Sequence, residues 1–179
     1  MTIKVDDSIS LELLDDTHAV PILNIIEPNR NYLREWLPWV DNMQTIGDFK
    51  NYIAKCKMQH NEGSDFGFVI FFQKNTVGRI GLHNIDHQNK IASIGYWLDE
   101  NYTGKGIITK SCKAIMNYAY QSHDINRIEI KCGTGNNKSR AIPHKLGFKN
   151  EGILRQAEMV NNNFIDLYIF SMLKSEWTY

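Results

Sequence analysis

Long apolar runs, an excess of charge of either sign and a cysteine framework are all missing from this 179-residue sequence, and each absence excludes a class of protein. No apolar stretch reaches the roughly 18 residues that a membrane-spanning helix needs. The amino terminus, Met1-Thr2-Ile3-Lys4-Val5-Asp6-Asp7, lacks the basic start and apolar segment of a secretory leader. Only three cysteines are present, Cys56, Cys112 and Cys132, at spacings that fit neither a disulfide set nor a zinc site, so a reducing, cytoplasmic setting without metal is expected. Lys plus Arg and Asp plus Glu number 20 each, and the zero net charge argues against a dedicated nucleic-acid binder. What remains is a folded composition, 42% hydrophobic and 22% charged, of a length suited to one domain over 1–179.

The balance of charge is not local. Residues 1–104 carry 9 basic against 14 acidic groups, 105–149 carry 9 against 2, and 150–179 carry 2 against 4. A basic segment thus lies between acidic flanks.

Periodicity predicts the elements. Ile9, Leu11 and Leu13 alternate as in a half-buried strand, and Asp15-Asp16-Thr17 can cap a helix carrying Val20, Leu23 and Ile26, with Pro21 tolerated in its first turn. A second helix is predicted from Ile46 to Gln59 with Phe49, Ile53 and Met58 inward. Strands follow at Phe66–Phe72, Val77–Ile85 and Ile91–Leu98, then a helix after Gly106, a strand at Arg127–Cys132, a short helix at Ser139–Leu146, and strands at Phe148–Leu154 and Asn163–Leu173. That order is α+β with a mixed sheet, because a meander must be antiparallel while strand, helix, strand crossovers run parallel.

The chemistry concentrates after Ile94. Gly104-Lys105-Gly106 stands between a strand and a helix start, where glycines admit a ligand to the backbone and free amides form an anion site; a plain turn and cap is the other reading. A P-loop is excluded because Lys105 is followed by Gly106 rather than Ser or Thr, and the dinucleotide fingerprint lacks its third glycine. His83 and His87 fall in a strand and turn and make no metal pair. His18, His60, His123 and His144 read as surface residues.

The segment Asn101 to Gly106 resembles the acetyl-CoA signature of the GNAT superfamily of N-acetyltransferases, departing from it at Asn101. Asn136-Asn137-Lys138-Ser139 and Gly147-Phe148 with Glu151-Gly152 resemble a second block of that family. Leu33, Trp36-Leu37-Pro38-Trp39 and Ile94-Gly95-Tyr96-Trp97 extend the likeness to its RimJ/RimL-type group and its ribosomal-protein-serine acetyltransferase-like members. The resemblance implies a mixed, mostly antiparallel sheet with helices on both faces, splayed between the fourth and fifth strands. It implies acetyl-CoA as cosubstrate, its pantetheine arm on the backbone of Tyr96, Trp97 and Leu98, its diphosphate on the amides of Gly104, Lys105, Gly106, Ile107, Ile108 and Thr109, and Asn136 beside the thioester. Ser139 would give the departing thiolate a proton or a strong hydrogen bond; a hydroxyl that caps its helix is the other reading, and the two are not exclusive. Glu158 is the candidate base, with a surface carboxylate as the bland reading and His83 as the second candidate. Trp36, Trp39 and His83 would meet the acceptor; core packing is the alternative for the tryptophans. Acceptors implied are a protein N-terminus or a small amine; a non-catalytic CoA-binding module is the non-enzyme reading. Homodimers are common among similar proteins.

Overall fold

The computed structural model describes residues 1–178. Its elements run β1 (Thr2–Lys4), β2 (Ile9–Leu13), α1 (Ala19–Leu33), α2 (Ile46–Asn61), β3 (Phe66–Phe72), β4 (Asn75–Asp86), β5 (Ile91–Leu98), α3 (Ile107–Ser122), β6 (Arg127–Gly133), α4 (Asn137–Lys145), β7 (Lys149–Val160) and β8 (Asn163–Leu173). They form one eight-stranded sheet in the order β1-β2-β3-β4-β5-β6-β8-β7, with β5 and β6 the parallel pair. The mixed, mostly antiparallel sheet implied by the resemblance is therefore present. The crossover through α4 gives no second parallel neighbour, because β8 inserts between β6 and β7.

Alternation along the strands divides the core in two. Phe66, Phe68 and Ile70 of β3 pack in one cluster with α3, while Val69 packs in the other with α1 and α2, so helices cover both faces. In α3 the buried residues Ile107, Ile108, Ser111, Cys112, Ile115, Met116 and Ala119 recur at helical spacing. In α2 the start is fixed by a capping box: Thr45 Oγ1 accepts from the Asp48 amide at 3.2 Å, and the Asp48 carboxylate accepts from the Thr45 amide at 2.8 Å. Its inward residues are Phe49, Ile53 and Cys56. Met58 is 64% exposed, contrary to expectation, because nine residues after Phe49 is about half a turn out of phase.

The site depends on where pairing stops. β5 and β6 are in register at Ile91↔Arg127, Ala92↔Ile128 and Ser93↔Glu129, after which β5 runs on to Leu98 and β6 to Gly133 unpaired with each other. This is the splay that the resemblance placed between the fourth and fifth strands. Here they are fifth and sixth, since Thr2–Lys4 adds an edge strand too short to carry a periodic signal.

Candidate active site

A cleft of about 390 Å³ occupies the splay, bounded by Tyr96, Trp97 and Leu98 on one side and by α4 on the other. At its outer end Gly104 and Gly106 have φ of +77° and +75°, and a Cβ on either would meet nothing within 4 Å, so the turn is left-handed and open above. Gly106 is the N-cap of α3 and accepts from the Lys110 amide at 3.0 Å. The amides of Ile107, Ile108 and Thr109 are thus the orphan donors of the first turn, at its positive end and on the lining of the cleft. Ile107 and Ile108 bury their side chains and offer backbone only. Lys105 lies outside the lining, its Nζ 4.7 Å over the Tyr102 ring, and the Asn101 side chain donates to Asp99 Oδ1 at 3.1 Å.

At the inner end Asn136 Oδ1 accepts from the Ser139 amide at 3.0 Å and is the cap of α4. Ser139 therefore does not cap the helix. Its Oγ donates to Tyr96 Oη at 3.2 Å, and the Tyr96 hydroxyl donates to the Ser139 carbonyl at 3.1 Å. Burial raises the Tyr96 phenol well above its ordinary range, so it stays neutral behind the serine. Burial also raises the Cys132 thiol, against the opposing effects of Arg140 and Ser139. The three cysteines are free and buried. Because the cap orients the turn that carries Ser139, Asn136→Ala is expected to cost about 1 kcal/mol. Thermal unfolding followed by circular dichroism should record a Tm lower by about 2–4 °C for a chain of this size.

A second cavity of about 340 Å³ lies on the α1/α2 face and shares Leu37, Tyr96 and Trp97 with the first. Trp39 and His83 line it, whereas Trp36 lines the first cleft. Both tryptophans stand in the turn after α1. The Trp36 ring seats on backbone, for a Cβ at Gly133 would come within 2.9 Å of it, and Trp39 packs 6.2 Å from Trp97. His83 Nδ1 is 2.6 Å from Asp65 Oδ2; with its proton assigned to that bond, Nε2 is left as an acceptor.

Glu158 lines neither cavity. It is half-buried on β7 opposite Ile165, whose Cδ1 and the Trp36 ring both cover Gly133, so Glu158 is on the Trp36 face of the sheet. A bulge between Leu154 and Glu158 re-aims the strand there, with Gln156 at φ +50° and its amide on Asp166 Oδ1 at 2.8 Å. Burial raises the Glu158 carboxyl above its ordinary value.

Other histidines differ from expectation. His18 is 5% exposed, since its Nδ1 accepts from the Asp15 amide, and His60 and His123 are half-buried against Phe66. His144 is exposed as expected. The sequence reading missed Asp65, Arg79 and Tyr52; the alternation Arg79-x-Gly81-x-His83 was the signal that put two of the polar groups on one strand face. Among the described residues no group of three or more His, Cys, Asp or Glu is arranged to hold a metal, and no helix is long and apolar enough to cross a membrane.

Residues 9–149 match the family described as Acetyltransferase (GNAT) domain. The ribosomal-protein-serine acetyltransferase of Escherichia coli (strain K12) is 33% identical over 172 residues, 96% of this chain and 96% of that one. RimL, a ribosomal L7/L12 alpha-N-protein acetyltransferase solved in complex with coenzyme A, superposes with a TM-score of 0.95 at 28% identity, over 99% of this chain and 100% of that one. The microcin C7 self-immunity acetyltransferase MccE, solved with acetyl-CoA and AMP, gives a TM-score of 0.91 at 30% identity, over 95% and 94%.

Proposed function

The chain belongs to the GNAT acetyltransferase family, and from that premise we propose that it moves an acetyl group from acetyl-CoA to the N-terminal α-amine of a protein, by direct attack, with residues 1–179 acting as one domain. The observation that carries this reading is the cleft in the β5/β6 splay, which joins the open amides after Gly106 to the Ser139 hydroxyl. Those amides suit a diphosphate, and the unpaired backbone of Tyr96, Trp97 and Leu98 suits the amides of a pantetheine arm. The basic residues of 105–149 suit the remaining charge of the nucleotide.

An α-amine with a pKa of roughly 7.7–8.0 is largely protonated near pH 7 and must lose a proton to attack. Glu158, half-buried and therefore more basic than a surface carboxylate, takes that proton. The amine nitrogen bonds to the thioester carbonyl carbon, the carbon–sulfur bond breaks, and the sulfur leaves as a thiolate stabilised by a hydrogen bond from Ser139 Oγ, behind which stands Tyr96, while the proton taken by Glu158 passes to solvent. Trp36, Trp39 and His83 border the acceptor's approach. The acceptor class follows from the E. coli relative and from RimL, both described as acting on ribosomal proteins. A small amine is the second reading, favoured by the small size of the second cavity, about 340 Å³.

Assaying acetyl-CoA turnover against N-terminal peptides and a panel of small amines tests the choice. Transfer to the peptides is the expected result, and transfer confined to the panel would overturn the protein acceptor. Binding of acetyl-CoA without release of free thiol on any amine would leave only a CoA-binding module.

A further inference from the structure

The floor of the second cavity has a construction that acetyl transfer alone does not require. On the α1/α2 face, register places three rows side by side across β3, β4 and β5: Val69, Arg79 and Trp97; then Gly67, Gly81 and Gly95; then His83 and Ser93, with Asp65 just ahead of β3 in line with His83. The middle row is bare backbone. Into that space Arg79 and His83 fold from opposite sides. A Cβ on Gly67 would lie 2.5 Å from Arg79 Nη2, and Cβ atoms on Gly81 and Gly95 would lie 3.0 and 3.1 Å from the His83 ring. The glycines thus seat a guanidinium and an imidazole flat on the sheet, under an apolar roof that includes Ile22, Phe49 and Ile53. The row ends at β5, beside the splay.

Arg79 is 8% exposed and incompletely satisfied. Nη1 donates to Tyr52 Oη at 2.5 Å, the guanidinium lies 4.9 Å from the Tyr52 ring centroid, and Nε has no hydrogen-bond partner. Among the described residues it makes no ion pair; Asp65 acts on it only at longer range, with Oδ2 held by His83. Burying a guanidinium without a matching anion is costly, and a guanidinium fork is shaped for a carboxylate. Such a group lines a cavity that meets the β5/β6 cleft at Leu37, Tyr96 and Trp97.

We propose that Arg79, seated on Gly67 and lining the second cavity, binds a side-chain carboxylate that the acceptor carries within a few bonds of its reacting amine. The inference rests on the reading of this cleft as an acetyl-CoA-dependent transferase and narrows its acceptor: an acidic residue at the start of a protein chain, or an acidic free amino acid. Both sources offer the same group, and the cavity of about 340 Å³ holds either.

Paired acceptors decide it. Peptides beginning Ser-Asp and Ser-Asn, and Asp-Ser and Asn-Ser, are compared by kcat/KM, with free aspartate and asparagine as a second arm. A hydrogen-bonded charge pair predicts at least about a 10-fold advantage for the acidic member of a pair. An advantage among peptides assigns the protein terminus, and one confined to free amino acids assigns the small acceptor. In Arg79→Gln the acidic-to-neutral ratio should fall to about one, and Gly67→Ala, whose methyl displaces Nη2, should lower it too. Equal rates within every wild-type pair, or a ratio unchanged in both variants, overturn the subsite while leaving acetyl transfer intact. Absence of transfer to every amine overturns the transferase reading and the subsite with it. The wild-type pairs decide the matter even where a variant does not fold.

Discussion

Ser139→Ala is expected to lower kcat by about two orders of magnitude, the lower range for losing a hydrogen-bond donor to a developing negative charge, while acetyl-CoA affinity changes little. The reason is geometric. The proposed anion site is backbone at Gly106 to Thr109, on a different helix from the hydroxyl, and α4 is capped by Asn136 rather than by Ser139, so removing Oγ should leave both the proposed nucleotide site and the helix start in place. What is lost is the one hydroxyl bonded to Tyr96 Oη at the inner end of the cleft. Steady-state kinetics with a free-thiol readout, alongside direct titration of acetyl-CoA, separate the two effects. An unchanged kcat would reduce Ser139 to a packing residue, and a parallel loss of affinity would mean that the inner end of the cleft had collapsed. Tyr96→Phe, which keeps the ring but removes the partner hydroxyl, should fall between wild type and Ser139→Ala.

Glu158→Gln should produce a comparable loss in kcat/KM near neutral pH and a change in the pH profile that a structural role would not give. The wild-type rate should rise as Glu158 ionises, at a pH above that of an exposed carboxylate because burial disfavours its charge, and again as the acceptor amine becomes neutral near pH 8. The variant should keep only the second rise, so that its deficit narrows at acid pH, where wild-type Glu158 is itself protonated, and is constant above that window. A profile of unaltered shape would assign proton removal to His83, held by Asp65, or to water.

Stability should move the other way. The folded pKa of Glu158 is raised, so between the unfolded value and the folded one the unfolded chain has released its proton while the folded chain still holds it. Stability therefore falls as pH rises through that window and stays reduced above it. Replacing the carboxylate by an amide removes the penalty, and the Tm of Glu158→Gln at pH 7 should equal or exceed that of wild type. A lower Tm would mean that the bulge in β7 depends on the carboxylate itself.

Much of the fold could be read from the residues. The boundaries of β3, β5, α3 and β8 follow from apolar runs, alternation or helical spacing between polar breaks, since burial on one face or two imposes those periods directly. The extra turns of α1, the start at Ala19 after a single 3-10 turn at Asp16–His18, and the lengthening of β7 to Val160 were not legible, because each is decided by what packs across from it. Tyr96 could be placed as cleft backbone from its motif, but its side-chain bond to Ser139, 43 positions away, had no local signal.

By itself the sequence determined the order of elements, the glycine turn before α3 and the segregation of basic residues into 105–149, because period, φ preference and charge are properties of neighbours along the chain. Only the tertiary structure decided that pairing between β5 and β6 ends at Ser93, that β8 separates β6 from β7, and that Gly67, Gly81 and Gly95 align into a floor bearing Arg79 and His83. The physical reason is register: which residues stand abreast is fixed by strand pairing across tens of residues, and a glycine reveals the side chain it makes room for only when its neighbour on the next strand is known.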